Sequence, residues 1–444
     1  MSGNRRETRN GGDNSLVGRT LYIPRMSVEG PAATAALFRS FGVNGQLTPE
    51  SDAHTLELAR QETVGEECYP QIVTLGGFMT VLNSPDFDPD RTAFMMPTAN
   101  GPCRFGQYKQ VVERVLRERG IDGVMLVSPS SSNGYEGFGD HGSNLIRLLW
   151  WAVVCSDGLR KLLLQTRPYE TVPGETDRVH GECLDLLCGV LERPDLSDKE
   201  KFAALVDVMT EMVRRFDAIP ARYTPDKPLV GVVGEIYCRL DDFANAYLIR
   251  RIEKFGGEAW LASISEWVNF TNFIQRHHLT VEGQRWTKKM FAAYVKSTIQ
   301  LRDEHQLLAP LHDRSVGYDE PESIFSMVKP AEPYLPYWGA YGEMVLNVGG
   351  AIFLYEQGGD GVIDISPFTC MNGIVCEAVY PRVSKDHDGF PIRNFYFDES
   401  GTDYDRDVEI FLELADTYRR RKTKRRRFPA HFETAATVSA RAEV

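Results

Sequence analysis

The apolar positions fall in short blocks that alternate between the two periods of regular structure. Thr20 to Ile23 predicts a strand, Ala32 to Phe41 a helix ended by Gly42, and Gly45 to Thr48 a second strand. A helix around Ala53 to Gln61 leads into GEECYP, where Pro70 suits the first turn of another helix. Thr92 to Met96 is the next strand. It runs into a loop with Pro97, Gly101 and Pro102 that presents Cys103. Tyr108, Val111, Val112, Val115 and Leu116 then recur at helical spacing, Gly120 stops that helix, and Ile121 to Ser128 reads as a buried strand.

A long helical region follows, from Leu145 to about Phe216, interrupted at Pro173 and Gly174. Asp217 to Pro228, with three prolines, predicts a linker. The same grammar then restarts. LVGVVGEIY is a strand, Asn245 to Phe255 a helix, Gly256-Gly257 its stop, and EAWLAS a strand. Helices fill Val268 to Leu308, with an apolar face drawn from Phe291, Tyr294, Val295 and Ile299. In GVIDISPFTCMNGIVCEAVY a strand meets Pro367, then Cys370, then a helix, which mirrors the strand, proline and Cys103 of the first half. The expected fold is therefore α/β: two pseudo-symmetric Rossmann-like lobes with extra helices and a shared cleft. The boundaries are 1–17 disordered, 18–170 lobe 1, 171–225 a helical connector, 226–412 lobe 2 with a helical insertion, and 413–444 a basic tail.

At 444 residues with 42% apolar content, the chain is long enough for more than one core. The densest apolar stretch, Leu148 to Val154, is too short to span a bilayer. The N-terminus lacks an apolar signal core, so a cytoplasmic protein is expected. The net charge of −12 is uneven. Residues 419–427 carry eight positive charges, which leaves 42 basic against 62 acidic residues elsewhere. An acidic body argues against a nucleic-acid surface, and the basic run reads as a solvated tail.

Eight cysteines are too sparse for a disulfide scaffold in a chain of this length, so metal binding or catalysis is the question they raise. Cys68, Cys103 and Cys370 sit in Gly/Pro-bearing loops at expected helix starts, where backbone N–H groups favour thiolates. Cys155, Cys183, Cys188 and Cys376 fall within helical patterns and read as core residues. Cys238 ends a strand and could face the cleft. No spacing matches a CxxC zinc or ferredoxin run. GFGDHG (Gly137, Gly139, Gly142) matches GxGxxG in form only, since it begins nine residues after the strand; it reads as a loop. There is no P-loop, no HExxH and no GxSxG.

GEECYP, GPCRFGQY, RPYE with PGETD, GEIYCR followed by FAN, and PFTCM occur in one order. Together they resemble the C-terminal region of CoA-substrate-specific enzyme activase-like proteins, which is related to 2-hydroxyacyl-CoA dehydratase subunits and double-cubane cluster proteins. The likeness covers about residues 18 to 412. It implies an iron–sulfur protein in which Cys68, Cys103 and Cys370 hold a cluster between the lobes. A four-iron (4Fe-4S) cluster is expected, with a double cubane as the alternative, for which Cys238 and Cys376 are the recruits. Glu67, Arg104 and Gln107 lie beside the ligands and are expected to tune the cofactor. Asn372 departs from the proline expected after PF-x-CM.

The implied function is an electron-transfer or reductase component, reduced by a separate ATP-dependent activase (a BadF-like ATPase) that drives low-potential reduction of a small substrate. The alternatives are a 2-hydroxyacyl-CoA dehydratase component and a non-redox protein that binds an acyl-CoA or a partner. A homodimer or a pairing with a related subunit is the expected assembly, with no membrane involved.

Overall fold

The computed structural model describes residues 16–99, 101–129, 142–318, 320–321, 323–339, 342–398 and 402–432, with side chains from residue 144 in the helix that begins at 142. The Gly137–Gly139 loop, residues 1–15 and residues 433–444 lie outside these residues.

The first lobe runs β1 (Thr20–Ile23), α1 (Glu29–Ser40), β2 (Asn44–Leu47), α2 (Ala53–Arg60), α3 (Tyr69–Leu82), β3 (Thr92–Met95), α4 (Tyr108–Glu118) and β4 (Met125–Val127). Its four strands are parallel in the order β2-β1-β3-β4, with Leu21 opposite both Gly45 and Ala93. Three helices follow: α5 (Gly142–Thr166), α6 (Glu175–Leu191) and α7 (Asp198–Asp217). The second lobe holds β5 (Leu229–Gly234), α8 (Ile236–Leu240), α9 (Leu248–Lys254), β6 (Glu258–Leu261), α10 (Ile264–Val281), α11 (Lys288–Leu308), α12 (Phe325–Ala331), α13 (Met344–Glu356), β7 (Gly361–Pro367), α14 (Met371–Asp386), β8 (Ile392–Phe397) and α15 (Tyr404–Arg421). Its sheet is also parallel, in the order β6-β5-β7-β8. The two sheets thus share one strand order, as the repeated units predicted.

Parallel strands covered on both faces need apolar side chains throughout, and β5 and β7 are buried at every position. Their core reaches into the other lobe. Tyr69 and Val73 of α3 pack with Val230, Val232, Ile363 and Ile365, while Phe78 and Met79 of the same helix face Phe94 and Val112 of lobe 1. With both faces covered, α3 is buried almost all round and joins the lobes.

Five features differ from the expectation. The connector is not a separate unit: α5, α6 and α7 share one core with Leu21, Ile23 and Phe38 of lobe 1. The expected linker is tied back, with Thr171 N–H donating to the Pro220 carbonyl (2.8 Å) and Arg222 N–H to that of Tyr169 (2.8 Å). On α11 the apolar spacing faces outward, leaving Phe291 70% and Tyr294 61% exposed. The buried side is polar instead: Asp303 accepts from Trp151 Nε1 (2.9 Å) and pairs with Arg147, and Gln300 offers its carbonyl to Trp150 Nε1 (2.9 Å).

The basic tail is the fourth difference, because its first part is packed. Lys422 is buried against Asp360 (2.6 Å), and Arg426 forms a buried pair with Glu258 (2.6 Å). The strap passes so close to Gly317 and Gly358, both at positive φ, that a Cβ on either would meet its backbone at 1.9 Å and 2.6 Å. At the other end Leu16, expected to be disordered, is buried in the lobe 1 core.

Candidate metal centre between the lobes

Each of the three cysteines singled out in the sequence occupies the residue just before a helix. Cys68 precedes α3, Cys103 precedes the 3-10 turn Arg104–Gln107 that leads into α4, and Cys370 precedes α14. Their backbones are nearly superimposable, with φ, ψ of −65°, 133° at Cys68, −66°, 133° at Cys103 and −68°, 126° at Cys370. Each carbonyl accepts an early bond of the turn that follows, such as Gln71 N–H to Cys68 (2.8 Å) and Gly106 N–H to Cys103 (3.2 Å). Thr369, before Cys370, holds a left-handed φ of 63°, a conformation that costs a threonine on the order of 1 kcal/mol and sets the direction of the next side chain.

Arg104 ties the three loops together. Its Nη1 donates to the Glu66 carbonyl (2.9 Å), two residues before Cys68, and its Nη2 to Thr369 Oγ1 (3.0 Å), one residue before Cys370. Arg104 itself follows Cys103, so one side chain spans all three motifs and both lobes. Tyr108, the first residue of α4, lies near Cys68, where its hydroxyl favours the thiolate against the effect of burial. Glu67 turns away from the thiols. Its carboxylate accepts from the N–H groups of Val64 (3.0 Å) and Gly65 (3.0 Å) and so fixes the Cys68 loop. Gln107 ends the 3-10 turn and is exposed.

Two carboxylates that the sequence reading missed share this space. Glu235 lies just before α8, and Glu343 just before α13. Glu343 accepts from Asn372 Nδ2 (2.6 Å), which gives that departure from the expected proline a purpose. Burial raises the Glu343 carboxyl to about 7, with the Glu235 charge adding to the effect. Burial likewise raises Glu235, opposed by the N–H groups of Cys238 and Tyr237. The one available hint was GEIYCR itself, a strand ending in Gly-Glu before a helix, in the place where the other units carry cysteine.

The expected thiolate stabilisation does not prevail. Burial pushes the Cys68 and Cys370 thiols up to about 12, and the Cys103 thiol up as well, even though the Asn372 and Gly373 N–H groups favour the charged form at Cys370. Desolvation outweighs a helix terminus in surroundings that also hold Glu235 and Glu343. Cys103 is the exposed member of the three.

The remaining cysteines separate clearly. Cys155 and Cys183 are in the helical core of lobe 1, and Cys188 packs against it. Cys376 donates to the Met344 carbonyl (3.4 Å) within the lobe 2 core, in a network with Asp364 and Tyr380. Cys238 is buried in the first turn of α8, where it feels the charges of Glu235, Cys68 and Cys370. Of the two recruits for a larger cluster, only Cys238 adjoins the thiols.

A cavity of about 580 Å³ is lined by residues that flank Cys68 and Cys370 in sequence, namely Glu66, Glu67, Tyr69, Phe368 and Thr369, together with Asp398 and Arg60, while neither cysteine lines it. Among the described residues, no three His, Cys, Asp or Glu side chains close around a point that would hold a single metal ion. A cubane is several ångströms across, so its ligands stand further apart than those of one ion. Among the described residues no helix is long and apolar enough to cross a membrane. No family model matches the chain, and no curated protein matches it.

Proposed function

We propose that this chain is an iron–sulfur electron-transfer or reductase component of the activase–dehydratase type, with Cys68, Cys103 and Cys370 holding a four-iron cluster. The observation that carries this reading is that three cysteines stand at three separate helix starts in two lobes of one topology, and that Arg104, next to Cys103, bonds the loops that carry Cys68 and Cys370. The donor chemistry fits: three sulfurs of this type satisfy three corners of a cubane. Such a cluster, when bound, supplies single electrons at low potential, and a separate ATP-hydrolysing activase would reduce it.

The protein's own residues have definable parts in this. Arg104 places a positive charge near Cys68 and Cys103 and links their loops to Thr369, one residue before Cys370. The Tyr108 hydroxyl favours the Cys68 thiolate, and Glu67 holds the Cys68 loop in shape. The cavity is of a size suited to a small molecule, and it touches two of the three motifs. Its wall sets Glu66, Glu67 and Asp398 against Arg60. That balance disfavours the phosphates of an acyl-CoA and supports a small substrate without them.

Iron and sulfide analysis with electron paramagnetic resonance on anaerobically purified protein tests the reading. About four irons per chain are expected. Cys103→Ala and Cys370→Ala should lose them. Cys183→Ala, which only opens a small core cavity at about 1 kcal/mol, should retain them. An iron-free wild-type protein prepared this way overturns the proposal.

A further inference from the structure

The hairpin of α10 and α11, inserted between β6 and β7, is built inside out. Its helices are joined by polar pairs: Asn269 donates to Glu304 (3.0 Å), Asn272 to Gln300 (2.8 Å) and Arg276 to Ser297. Those three residues of α10 follow the helical repeat, so they form the seam that apolar side chains fill in most helix pairs. The outer side of α11 carries Lys288, Phe291, Val295, Thr298 and Arg302 at alternating spacings of three and four, with Tyr294 beside them. That spacing puts them all on one face, and every one of them is exposed. The result is an aromatic and aliphatic stripe with a cation at each end, the form of a surface that receives another helix.

The same chain carries the complement of that face on α15. The inner side of α15, with Val408, Phe411, Leu412 and Ala415, belongs to the lobe 2 core. Its outer side exposes Ile410 (40%) and Leu414 (50%), one turn apart, between Asp407, Glu409 and Glu413. Among the described residues, Lys288, Glu409 and Glu413 take part in no ion pair. Within one chain α11 packs on α5, α7 and α10, whereas α15 packs on α9, so each outer face stays uncovered. The charges are divided in the same sense. Residues 276–302 hold six basic residues and one acidic one, which leaves 44 basic against 61 acidic elsewhere.

We propose that α11 docks on α15 of a second copy of this chain, and that the reciprocal contact closes a two-fold dimer. Phe291, Tyr294 and Val295 cover Ile410 and Leu414, while Lys288 and Arg302 meet the acidic flanks. Each copy offers both faces, so a two-fold axis forms both contacts at once and leaves neither open to a third chain. Pairing α11 with its own copy would instead set Lys288 and Arg302 against like charges. A lipid surface would use the aromatic residues and cations of α11 but would repel the acidic face of α15. No cysteine takes part, so the inference goes beyond the cluster reading and does not depend on it.

Sedimentation equilibrium of the full-length wild type, Phe291→Asp, Leu414→Lys and an equimolar mixture of the two variants tests this. Both positions are exposed, and an unchanged far-UV circular dichroism spectrum and unfolding midpoint confirm each fold; Tyr294→Asp, on the same face, takes the place of Phe291→Asp if that variant unfolds. The wild type should sediment as two chains. Each variant spoils both contacts of its own dimer and should raise the dissociation constant at least about thirtyfold. In the mixture, α11 of Leu414→Lys and α15 of Phe291→Asp are both intact, so a mixed dimer regains one native contact and sets Asp opposite Lys in the other. The mixture should therefore associate more tightly than either variant alone. A monomeric wild type overturns the proposal, including one that floats with phosphatidylserine vesicles instead. A dimer that neither variant weakens overturns it too, as does a mixture no tighter than its components. An assembly that grows beyond two chains with concentration overturns the two-fold closure. None of these readings uses iron, so each of them leaves the cluster reading standing.

Discussion

Replacing Arg426 by methionine isolates what the C-terminal strap contributes. Arg426 lies 3% exposed against a fully buried Glu258, the first residue of β6, at 2.6 Å and 3.2 Å. Glu258 also accepts from the hydroxyls of Tyr169 (2.8 Å) and Tyr318, and the guanidinium stacks on Tyr318 (4.4 Å) and Phe428 (4.8 Å). Removing the cation leaves a carboxylate with two neutral donors and no access to water. Breaking a buried pair from one side costs about 3–5 kcal/mol. Lost stacking acts through the same truncation and is not added to that figure. The double variant Arg426→Met/Glu258→Gln removes the stranded charge, keeps an acceptor oxygen for one tyrosine and offers its amide N–H to the hydroxyl oxygen of the other, so it should recover more than about half of the loss. Chemical denaturation, followed by far-UV circular dichroism, measures both. An Arg426→Met loss below about 1 kcal/mol, or a double variant no better than the single one, would refute the view that a buried pair anchors the strap.

Two further outcomes follow from the lobe contacts. Glu29 of α1 meets Arg160 of α5 and His180 of α6 (2.8 Å); although burial alone would raise its carboxyl, these partners draw it from 4.5 down to about 2. Its contribution of about 3 kcal/mol is complete above the ordinary carboxylate value and is lost as pH falls through about 2. Glu29→Gln should therefore be least stable relative to wild type at neutral pH, and the gap in urea midpoint should narrow between pH 4.5 and pH 3; a constant gap would contradict the assigned partners. On the cluster reading proposed above, Arg104→Ala, which removes the bonds to Glu66 and Thr369, should release iron to a chelator faster than wild type while changing overall stability by only about 1 kcal/mol. Equal release rates would show that the loops hold their places without it.

The features legible in the sequence are those that local chemistry dictates. The alternation of strand, loop, helix and glycine stop led to both sheets and to their shared order, because a parallel sheet buried on both faces requires that grammar. Cys68, Cys103 and Cys370 were legible because glycine and proline mark loop-to-helix junctions. Long-range polar pairing was not. Arg426 reads as one residue in a run of charges, and only Glu258, Tyr318 and Tyr169, distant in sequence, turn it into a buried anchor. Phe291 and Tyr294 read as a core face because periodicity records hydrophobicity, while the inward side of α11 is held by Asp303 and Gln300. Glu235 escaped notice because a glutamate at a helix start is common for capping alone, which it also does here.

The common topology explains how the thiols and carboxylates of the cleft are apportioned. In lobe 1 the helix between β2 and β3 is α3, and in lobe 2 the helix before β7 is α13. Both carry a glycine pair at the point of closest packing: a Cβ on Gly76 would lie 2.3 Å from the Thr55 carbonyl oxygen, and one on Gly349 2.5 Å from that of Met327. Those pairs seat each helix at a fixed depth, so the residue before its first turn arrives at the same place in the cleft. That residue is Cys68 in one lobe and Glu343 in the other. The loops after β3 and β7 deliver Cys103 and Cys370 in matching fashion. Equivalent frames thus carry unequal chemistry, with two thiols from lobe 1 and one thiol with two carboxylates from lobe 2. The two halves of the cleft therefore differ in chemistry although their sheets share one strand order.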